Sequence, residues 1–459
     1  MRARAAETSL TASRVNPLPQ GPHSPQAVHY TCGSGFTREE ALKTNTHPMP
    51  NHLHSPHLST RFQALDQFLI EHQQLWKPRP FTSLKLAWET AHPELAAHLR
   101  QCSLEDAETD TTAARLPAPF PQLAQQARQL SALGNLPATD LPPAAHRLDV
   151  AVPGRKWQQI EAFASHLAFR EQPRHWLDWC SGKGHLGRRL LQPGQHLTCL
   201  EYDAELVAAG QALSTHHHLP AQHVHQDVMA NDSARHLAGD KSVVALHACG
   251  DLHVRLMQLA SQQGCRQLAV APCCYNRIAA QHYQALSTAA QASSLRLSLD
   301  DLGLPLSETV TAGARVRRQR DTSMARRLGF DLLQRQQRQT DEYLPTPSLP
   351  VAWLEKPFEQ YCRDLAELKQ LQLTGNPDWA ALEAAGWQRL AEVRNLERVR
   401  NLFRRPLELW LVLDRALFLE EQGYNVRLGL FCDYPLTPRN LLILAERDRW
   451  PQHNLWITL

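Results

Sequence analysis

The feature that most constrains this chain is a cluster of glycines that follows a short apolar segment. The chain has only 20 glycines among 459 residues, fewer than the roughly 7% that is typical. Four of them lie close together, at Gly182, Gly184, Gly187 and Gly194. A chain that uses glycine sparingly places several together where its backbone must turn tightly or approach another group closely. The segment DWCSGKGHLG therefore predicts a GxGxxG turn between a strand and a helix.

Segments with strand-like and helix-like patterns alternate around this turn. The predicted strands are His175–Trp179, His196–Glu201, His223–Gln226, Ser242–His247 and Gln267–Ala271, with helices such as Ala204–Leu213 and Val254–Gln262 between them. Strands that alternate with helices at this spacing are typical of a parallel, doubly wound α/β sheet.

The alternation stops after the fifth strand and resumes near the end of the chain. Pro406 begins a helix that is apolar almost all round and that ends before Gly423. Two further strand-like segments follow, Val426–Cys432 and Leu441–Ala445. They would complete a seven-stranded sheet, so the helical segment before Pro406 is predicted to be an insertion within the α/β domain.

These patterns divide the chain into five predicted parts. They are a flexible leader at 1–60, a small helical N-terminal region at 61–150, the α/β core at 151–276, a helical, arginine-rich insertion at 277–405, and the last helix with the last two strands at 406–459.

Composition excludes several classes of protein. The 48 basic and 45 acidic residues give a net charge of +3, which excludes a generally polycationic protein. The longest apolar stretch, 407–419, contains Glu408, Asp414 and Arg415, and the N-terminus lacks an apolar signal region. We therefore predict a cytoplasmic protein without a membrane span. The ten cysteines show no CxxC pair, so neither a disulfide scaffold nor a metal site is predicted.

The glycine turn is suited to either of two nucleotide cofactors. A GxGxxG turn at the start of a helix can hold a dinucleotide pyrophosphate, as in an NAD(P)-binding oxidoreductase. Asp178, however, lies four residues before Gly182. A carboxylate there would repel a pyrophosphate but would attract the amino group of S-adenosylmethionine (SAM). Lys183 and His185 could neutralise a phosphate, so the oxidoreductase alternative stays open at this point.

Two further acids favour SAM. Glu201 ends the second predicted strand, where a carboxylate can accept both ribose hydroxyls of either cofactor. Asp227 follows the third strand and is placed to meet the adenine amino group. Each acid alone is more often a solvated residue at a strand end. Three of them, Asp178 included, at consecutive strand ends predict SAM binding.

Several segments together resemble a known family. DWCSGKGHLG, LHACGDLH at 246–253, APCCYN at 271–276, PGRKWQQI at 153–160 and LTPRNLLILA at 436–445 are similar to the methyltransferase family that includes methyltransferase-like protein 25 and the glutathione S-transferase C-terminal-domain-containing protein. The chain is most like the bacterial members of that family. The resemblance covers roughly 150–459 and implies a Rossmann-like class I SAM-dependent methyltransferase fold, without naming a substrate.

Beside the three acids, five more residues are predicted to contact the cofactor. They are Lys156, Cys180, Gly182, Gly184 and Val228.

The candidate catalytic residues follow the fourth and fifth strands. His247 and Asp251 lie where class I methyltransferases carry a substrate-facing motif, often Asn/Asp-Pro-Pro-aromatic, which is absent here. Either residue could act as a base, or both could only orient the loop. Tyr275, in the segment after the fifth strand, is the third candidate.

Cysteines stand in the same two loops. Cys249, Cys273 and Cys274 resemble the two-cysteine arrangement of RNA cytosine-C5 methyltransferases, in which one thiolate attacks the ring. The alternative is that they are inert packing residues.

Arginines are concentrated in the predicted insertion. Residues 313–339 hold eight arginines and two aspartates, and residues 389–405 hold six arginines and two glutamates. Contact with RNA or a ribosome-associated protein is predicted for Arg315, Arg317, Arg318 and Arg320. Solvated helix faces, or salt bridges to acidic residues elsewhere, are the alternative. A catalytically silent SAM-binding scaffold also remains open.

Overall fold

The structure is a computed structural model that describes residues 52–108, 116–144, 147–150, 152–307 and 313–447. The predicted leader lies outside the described residues up to residue 51. Its boundary at residue 60 is too late, because strand β1 spans Leu53–His54 and the first helix begins at His57. Leu53 pairs with Leu428 and is buried, so the chain is already part of the fold there.

The N-terminal region is helical, as predicted. Its helices are α1 (His57–Glu71), α2 (Gln73–Trp76), α3 (Pro93–Gln101), α4 (Leu104–Glu108) and α5 (Phe120–Ser131).

Strands and helices alternate through the next part of the chain. In order they are α6 (Gly154–Ser165), β2 (His175–Trp179), α7 (His185–Leu190), β3 (His196–Glu201), α8 (Ala204–His216), β4 (Ala221–His225), β5 (Lys241–Ala245), α9 (Asp251–Gln262) and β6 (Gln267–Val270). β2 and β3 have the predicted bounds, and the other three strands differ from prediction by one or two residues at their ends.

A helical segment then separates β6 from the rest of the sheet. It contains α10 (Thr288–Ala292), α11 (Leu299–Leu302), α12 (Ala314–Arg338), α13 (Phe358–Leu368) and α14 (Trp379–Asn401). The chain returns to the sheet through α15 (Arg404–Glu421), β7 (Asn425–Leu430) and β8 (Leu441–Glu446).

The strands form one sheet with the order β1-β7-β8-β6-β5-β2-β3-β4. β2 to β6 are parallel, whereas β8 runs antiparallel to both β6 and β7. Apart from β1, this is the seven-stranded, Rossmann-like sheet predicted from the sequence. The two-residue β1 adds an eighth strand at the edge, and so short a strand leaves no periodicity in the sequence.

The strand order places a ligand site at one edge of the sheet. β2 is the central one of the five parallel strands, and the chain runs outward from it in one direction through β3 and β4 and in the other through β5 and β6. In such sheets, ligands bind outside the carboxyl ends of the strands where the order reverses. The predicted glycine turn follows β2 and therefore lies at this switch point.

Helix α15 is buried on all sides because it is packed between the sheet and the N-terminal helices. Trp410 lies 5.2 Å from the ring of Phe62, and Phe403, just before α15, stacks on Phe68 at 5.2 Å. On its other side α15 contacts β7 and β8. Because α15 packs against protein on both sides, its apolar residues are buried within the fold. No helix within the described ranges is long and apolar enough to cross a bilayer.

Candidate active site

The glycine turn has a backbone that few other residues would adopt. Cys180, Gly182 and Gly184 have φ values of 58°, 56° and 72°. A Cβ at Gly184 would lie 2.5 Å from the His223 ring, so any side chain there would collide. The Ser181 N–H donates to the Leu200 carbonyl at 3.0 Å, which ties the turn to β3. The turn is therefore held in one conformation, with Gly184 at the start of α7.

An arginine that sequence analysis missed also holds the turn. The buried Arg188 guanidinium donates to the Lys183 carbonyl at 2.5 Å and lies 3.1 Å from His185 Nδ1. Two arginines follow Gly187 in the sequence, but their partners are visible only in the fold.

Asp178 is a buried acid at the end of β2. Its side chain is 3% exposed, and its Oδ2 accepts a hydrogen bond of 3.0 Å from the Gly187 N–H. Burial raises the pKa of Asp178 to about 7, although the Gly187 hydrogen bond and the positive charges of Arg188 and Lys156 act in the opposite direction. The Asp178 carboxylate is buried and accepts one hydrogen bond. A cationic ligand would therefore stabilise its ionised form.

Glu201 bridges the glycine turn and the next helix. Its Oε2 accepts from the Gly182 N–H at 2.8 Å, and its Oε1 accepts from the Asp203 N–H at 3.0 Å. Asp203 in turn caps α8. Glu201 is thus held in place from both sides, and each oxygen keeps a second lone pair for an incoming hydroxyl.

The third acid lies beside β4 and is exposed. Asp227 Oδ1 accepts from the Met229 N–H at 2.9 Å, while the neighbouring Val228 is buried. Two large apolar side chains are unusually exposed close to these acids: Tyr202 at 70% and Met229 at 43%. Sequence analysis missed both, because exposure of an apolar residue is a property of the fold.

Lys156 lies on α6 and is exposed. Its charge lowers the pKa of both Asp178 and His247, which shows that all three residues are close together.

The predicted catalytic residues differ in their surroundings. His247 is exposed, and desolvation by the surrounding protein lowers its pKa together with the charge of Lys156. Asp251 Oδ2 accepts from the Ala279 N–H at 2.8 Å, which favours the alternative that it orients the loop. Tyr275 is fully buried, with its hydroxyl 3.4 Å from Glu408. That position does not favour the catalytic role predicted for Tyr275.

Three thiols meet between the loops that follow β5 and β6. The sulfur atoms of Cys249, Cys273 and Cys274 all lie within 4.8 Å of one another, and those of Cys249 and Cys273 are 3.5 Å apart. Sequence analysis compared these cysteines with a two-cysteine catalytic arrangement but did not predict that all three meet. Their convergence follows from the parallel pairing of β5 with β6, beyond which Cys249 and Cys273 form an isolated parallel bridge.

Several arginines of the insertion have acidic partners. Arg335 pairs with the buried Asp331 at 2.8 Å and Arg326 with Glu383 at 3.4 Å. For these residues the structure favours salt bridges to acidic side chains over contact with RNA. Arg315, Arg317 and Arg318 instead are exposed in the first turns of α12, and Arg320 is half-buried.

Both arginine-rich segments meet at one end of a helix pair. Asp321 pairs with Arg394 at 2.5 Å, and Ala325 lies against Gly386, so α12 and α14 are antiparallel. The first turns of α12 therefore lie beside the last turns of α14, just before α15 begins at Arg404. Arg405 at this junction donates to Glu408 at 2.7 Å, and Glu408 contacts the buried Tyr275, which directly follows Cys274 in the loop after β6.

Comparison with known families identifies one domain. Residues 155–281 match the model of a methyltransferase domain. The matched residues include the glycine turn, the three acids and the three converging thiols. No curated protein matches the sequence.

Solved methyltransferase structures are only distantly similar. A precorrin-6y C5,15-methyltransferase from Geobacter metallireducens has 12% identity and a TM-score of 0.22, over 28% of this chain and 66% of that one. A SAM-dependent methyltransferase from Agrobacterium tumefaciens has 14% identity and a TM-score of 0.21, over 30% and 53%. An O-methyltransferase family protein from Burkholderia thailandensis has 10% identity and a TM-score of 0.26, over 66% and 63%. The chain spans less than two-thirds of each of these proteins, and TM-scores this low assign no activity.

Proposed function

We propose that this protein is a class I SAM-dependent methyltransferase of the family that includes methyltransferase-like protein 25, acting in the cytoplasm. The observation that carries the proposal is the placement of Asp178, Glu201 and Asp227 at the carboxyl ends of three adjacent parallel strands. They surround a glycine turn at the switch point of the sheet, where ligands bind in this architecture.

Each part of SAM has a group that would hold it. The buried Asp178 would bind the ammonium group, and Glu201 would bind the ribose hydroxyls. Asp227 would accept from the adenine amino group, between the apolar surfaces of Tyr202 and Met229. Bound SAM supplies an activated methyl group, so the protein's main task is to align an acceptor with it.

Calorimetry tests cofactor choice. We expect SAM and its demethylated product to bind the purified chain and NAD(H) to show no heat. Heat with NAD(H) but not with SAM would favour the oxidoreductase. Transfer of tritiated methyl to fractionated RNA, protein and small molecules from a deletion strain then tests catalysis. SAM binding without transfer to any fraction would indicate a scaffold.

The affinity for SAM is expected to depend on pH through Asp178. Its pKa of about 7 means that the carboxylate is mostly protonated below neutrality. Because only the ionised form attracts the ammonium group, affinity should rise as pH increases through 7 and level off above it. Calorimetry between pH 5.5 and 8.5 measures this rise, and an Asp178→Asn variant should show no measurable SAM binding at any pH in that range. A flat profile in the unmodified protein would contradict the assignment.

We propose RNA as the methyl acceptor. Support comes from the exposed Arg315, Arg317 and Arg318, which lie beside the C-terminal end of α14, next to the junction that contacts the loop after β6. Phosphate contacts made by such a basic surface are sequence-independent and weaken with salt. A ribosome-associated protein approached through the same arginines is the second candidate.

Replacing these three arginines with glutamine should weaken RNA binding without changing SAM affinity. If all three contact phosphates, the slope of log affinity against log salt should flatten by about 2, since each contact to single-stranded RNA contributes about 0.7. Fluorescence anisotropy over a salt series measures the slope. A matched control removes three exposed charges elsewhere, by Lys85→Gln, Arg147→Gln and Arg174→Gln. If both variants lose the same RNA affinity, the effect comes from net charge alone. That outcome would contradict the proposal.

A further inference from the structure

Three thiols converge beside the candidate active site, one more than a two-cysteine catalytic arrangement would use. Cys249, Cys273 and Cys274 bring their sulfur atoms within 4.8 Å of one another. Among the described residues, no fourth histidine, cysteine or acidic side chain joins this group, and no other group of this kind occurs. All three thiols are free.

The backbone of both loops is arranged around this convergence. Cys249 and Cys273 form a parallel bridge beyond the ends of β5 and β6, shifted by one residue from the register of those strands, and the Gly250 N–H donates to the Cys273 carbonyl at 3.1 Å. Adjacent side chains of an extended strand point to opposite faces. Cys274, however, has a φ of 47°, which turns its thiol to the same side as that of Cys273. A left-handed cysteine costs about 1–2 kcal/mol, so a doublet that only packed would have no reason to adopt it.

The spacing of the sulfur atoms suits one soft divalent cation. Zinc binds thiolates at about 2.3 Å in a tetrahedron, which places its sulfur ligands roughly 3.8 Å apart. The observed separations, 3.5 Å for one pair and below 4.8 Å for the others, bracket that value. Small rotations of the side chains would suffice for binding.

Two positive charges lie close to the thiols. The guanidinium groups of Arg439 and Arg277 both act electrostatically on Cys274. Three thiolates around a divalent cation carry a net charge of −1, which these two arginines would offset.

We propose that Cys249, Cys273 and Cys274 form a Zn²⁺ site with three thiolate ligands and a fourth position open to an exogenous ligand. Sites with three protein ligands and an open position are typical of zinc that takes part in chemistry, whereas structural zinc has four protein ligands. The site goes beyond the proposed function, because metal binding requires neither SAM nor an acceptor.

Metal analysis of the full chain tests the site. After purification under reducing conditions and incubation with ZnSO₄ followed by desalting, we expect about one zinc per chain. Cys249→Ser and Cys274→Ser should retain well below half of that amount. Cys102→Ser, a half-buried cysteine outside the cluster, is the matched control and should retain all of it.

Cobalt provides a measurement that does not depend on any variant. Co²⁺ bound to the unmodified chain should give the intense near-ultraviolet absorption of thiolate-to-cobalt charge transfer, and Zn²⁺ should abolish it. A chain without zinc and without this absorption would overturn the proposal, as would normal zinc content in both serine variants. A disulfide between Cys249 and Cys273 under reducing conditions, detected by mass spectrometry, would also overturn it.

Discussion

Replacing Asp178 with asparagine is expected to abolish SAM binding while making the ligand-free protein more stable. The amide keeps the shape of the side chain and can still accept from the Gly187 N–H. What it loses is the charge that attracts the ammonium group of SAM. Removing one partner of a buried charge pair typically costs 2–5 kcal/mol, so affinity should fall at least about 30-fold.

The stability change has the opposite sign because burial raises the pKa of Asp178 from 3.8 to about 7. The folded state therefore destabilises the ionised carboxyl. The resulting loss in the free energy of unfolding is absent below pH 4, grows between pH 4 and 7, and is complete above pH 7. At about 1.4 kcal/mol per pKa unit, Asp178→Asn should raise the free energy of unfolding at pH 8 by up to about 4 kcal/mol.

Urea unfolding at pH 4 and pH 8, with SAM titrations of the same samples, measures both effects. Asp227→Asn is the control, since its exposed carboxylate should leave stability unchanged. Loss of SAM binding together with loss of stability at pH 8 would contradict a binding role for Asp178 and indicate a structural one.

Replacing Gly250 with alanine is expected to unfold the loop that joins β5 to α9. Gly250 has a φ of 54° and a ψ of −122°, a combination that only glycine adopts easily. A Cβ would also collide with the Arg277 carbonyl group, whose carbon would lie 2.5 Å away. Strain and collision together should cost more than about 4 kcal/mol, an exceptional loss for one methyl group.

Gly264→Ala separates the collision from the backbone strain. Gly264 has a φ of 73°, and a Cβ there would meet nothing within 4 Å. The Gly264→Ala variant should lose only about 1–2 kcal/mol of stability, which is the cost of alanine in a left-handed conformation. Thermal and urea unfolding compare the two variants. Equal losses would show that the Arg277 carbonyl moves freely, so the loops carrying Cys249 and Cys273 would not be rigid.

Much of the α/β core could be predicted because its signals are local. β2 and β3 have the predicted bounds, since each alternates with a helix and ends at an acid or a glycine turn. β7 and β8 also form, within two residues of prediction. The family match at 155–281 agrees with the methyltransferase domain that the resemblance implied. Apart from the end of the leader, which β1 and α1 correct, the division into parts stays a prediction, and so do the cofactor contacts.

By itself the sequence determined the order of strands and helices, the place of the glycine turn and the acids that follow β2, β3 and β4. Each of these depends on neighbours within a few residues. Only the tertiary structure decided that Tyr275 is buried, that three thiols converge and that two arginine-rich segments meet at one end of α12 and α14. The physical reason is that burial, charge partners and metal-ligand distances are set by residues far away in the chain. Parallel strand pairing and antiparallel helix packing bring those residues together, and neither leaves a local pattern in the sequence.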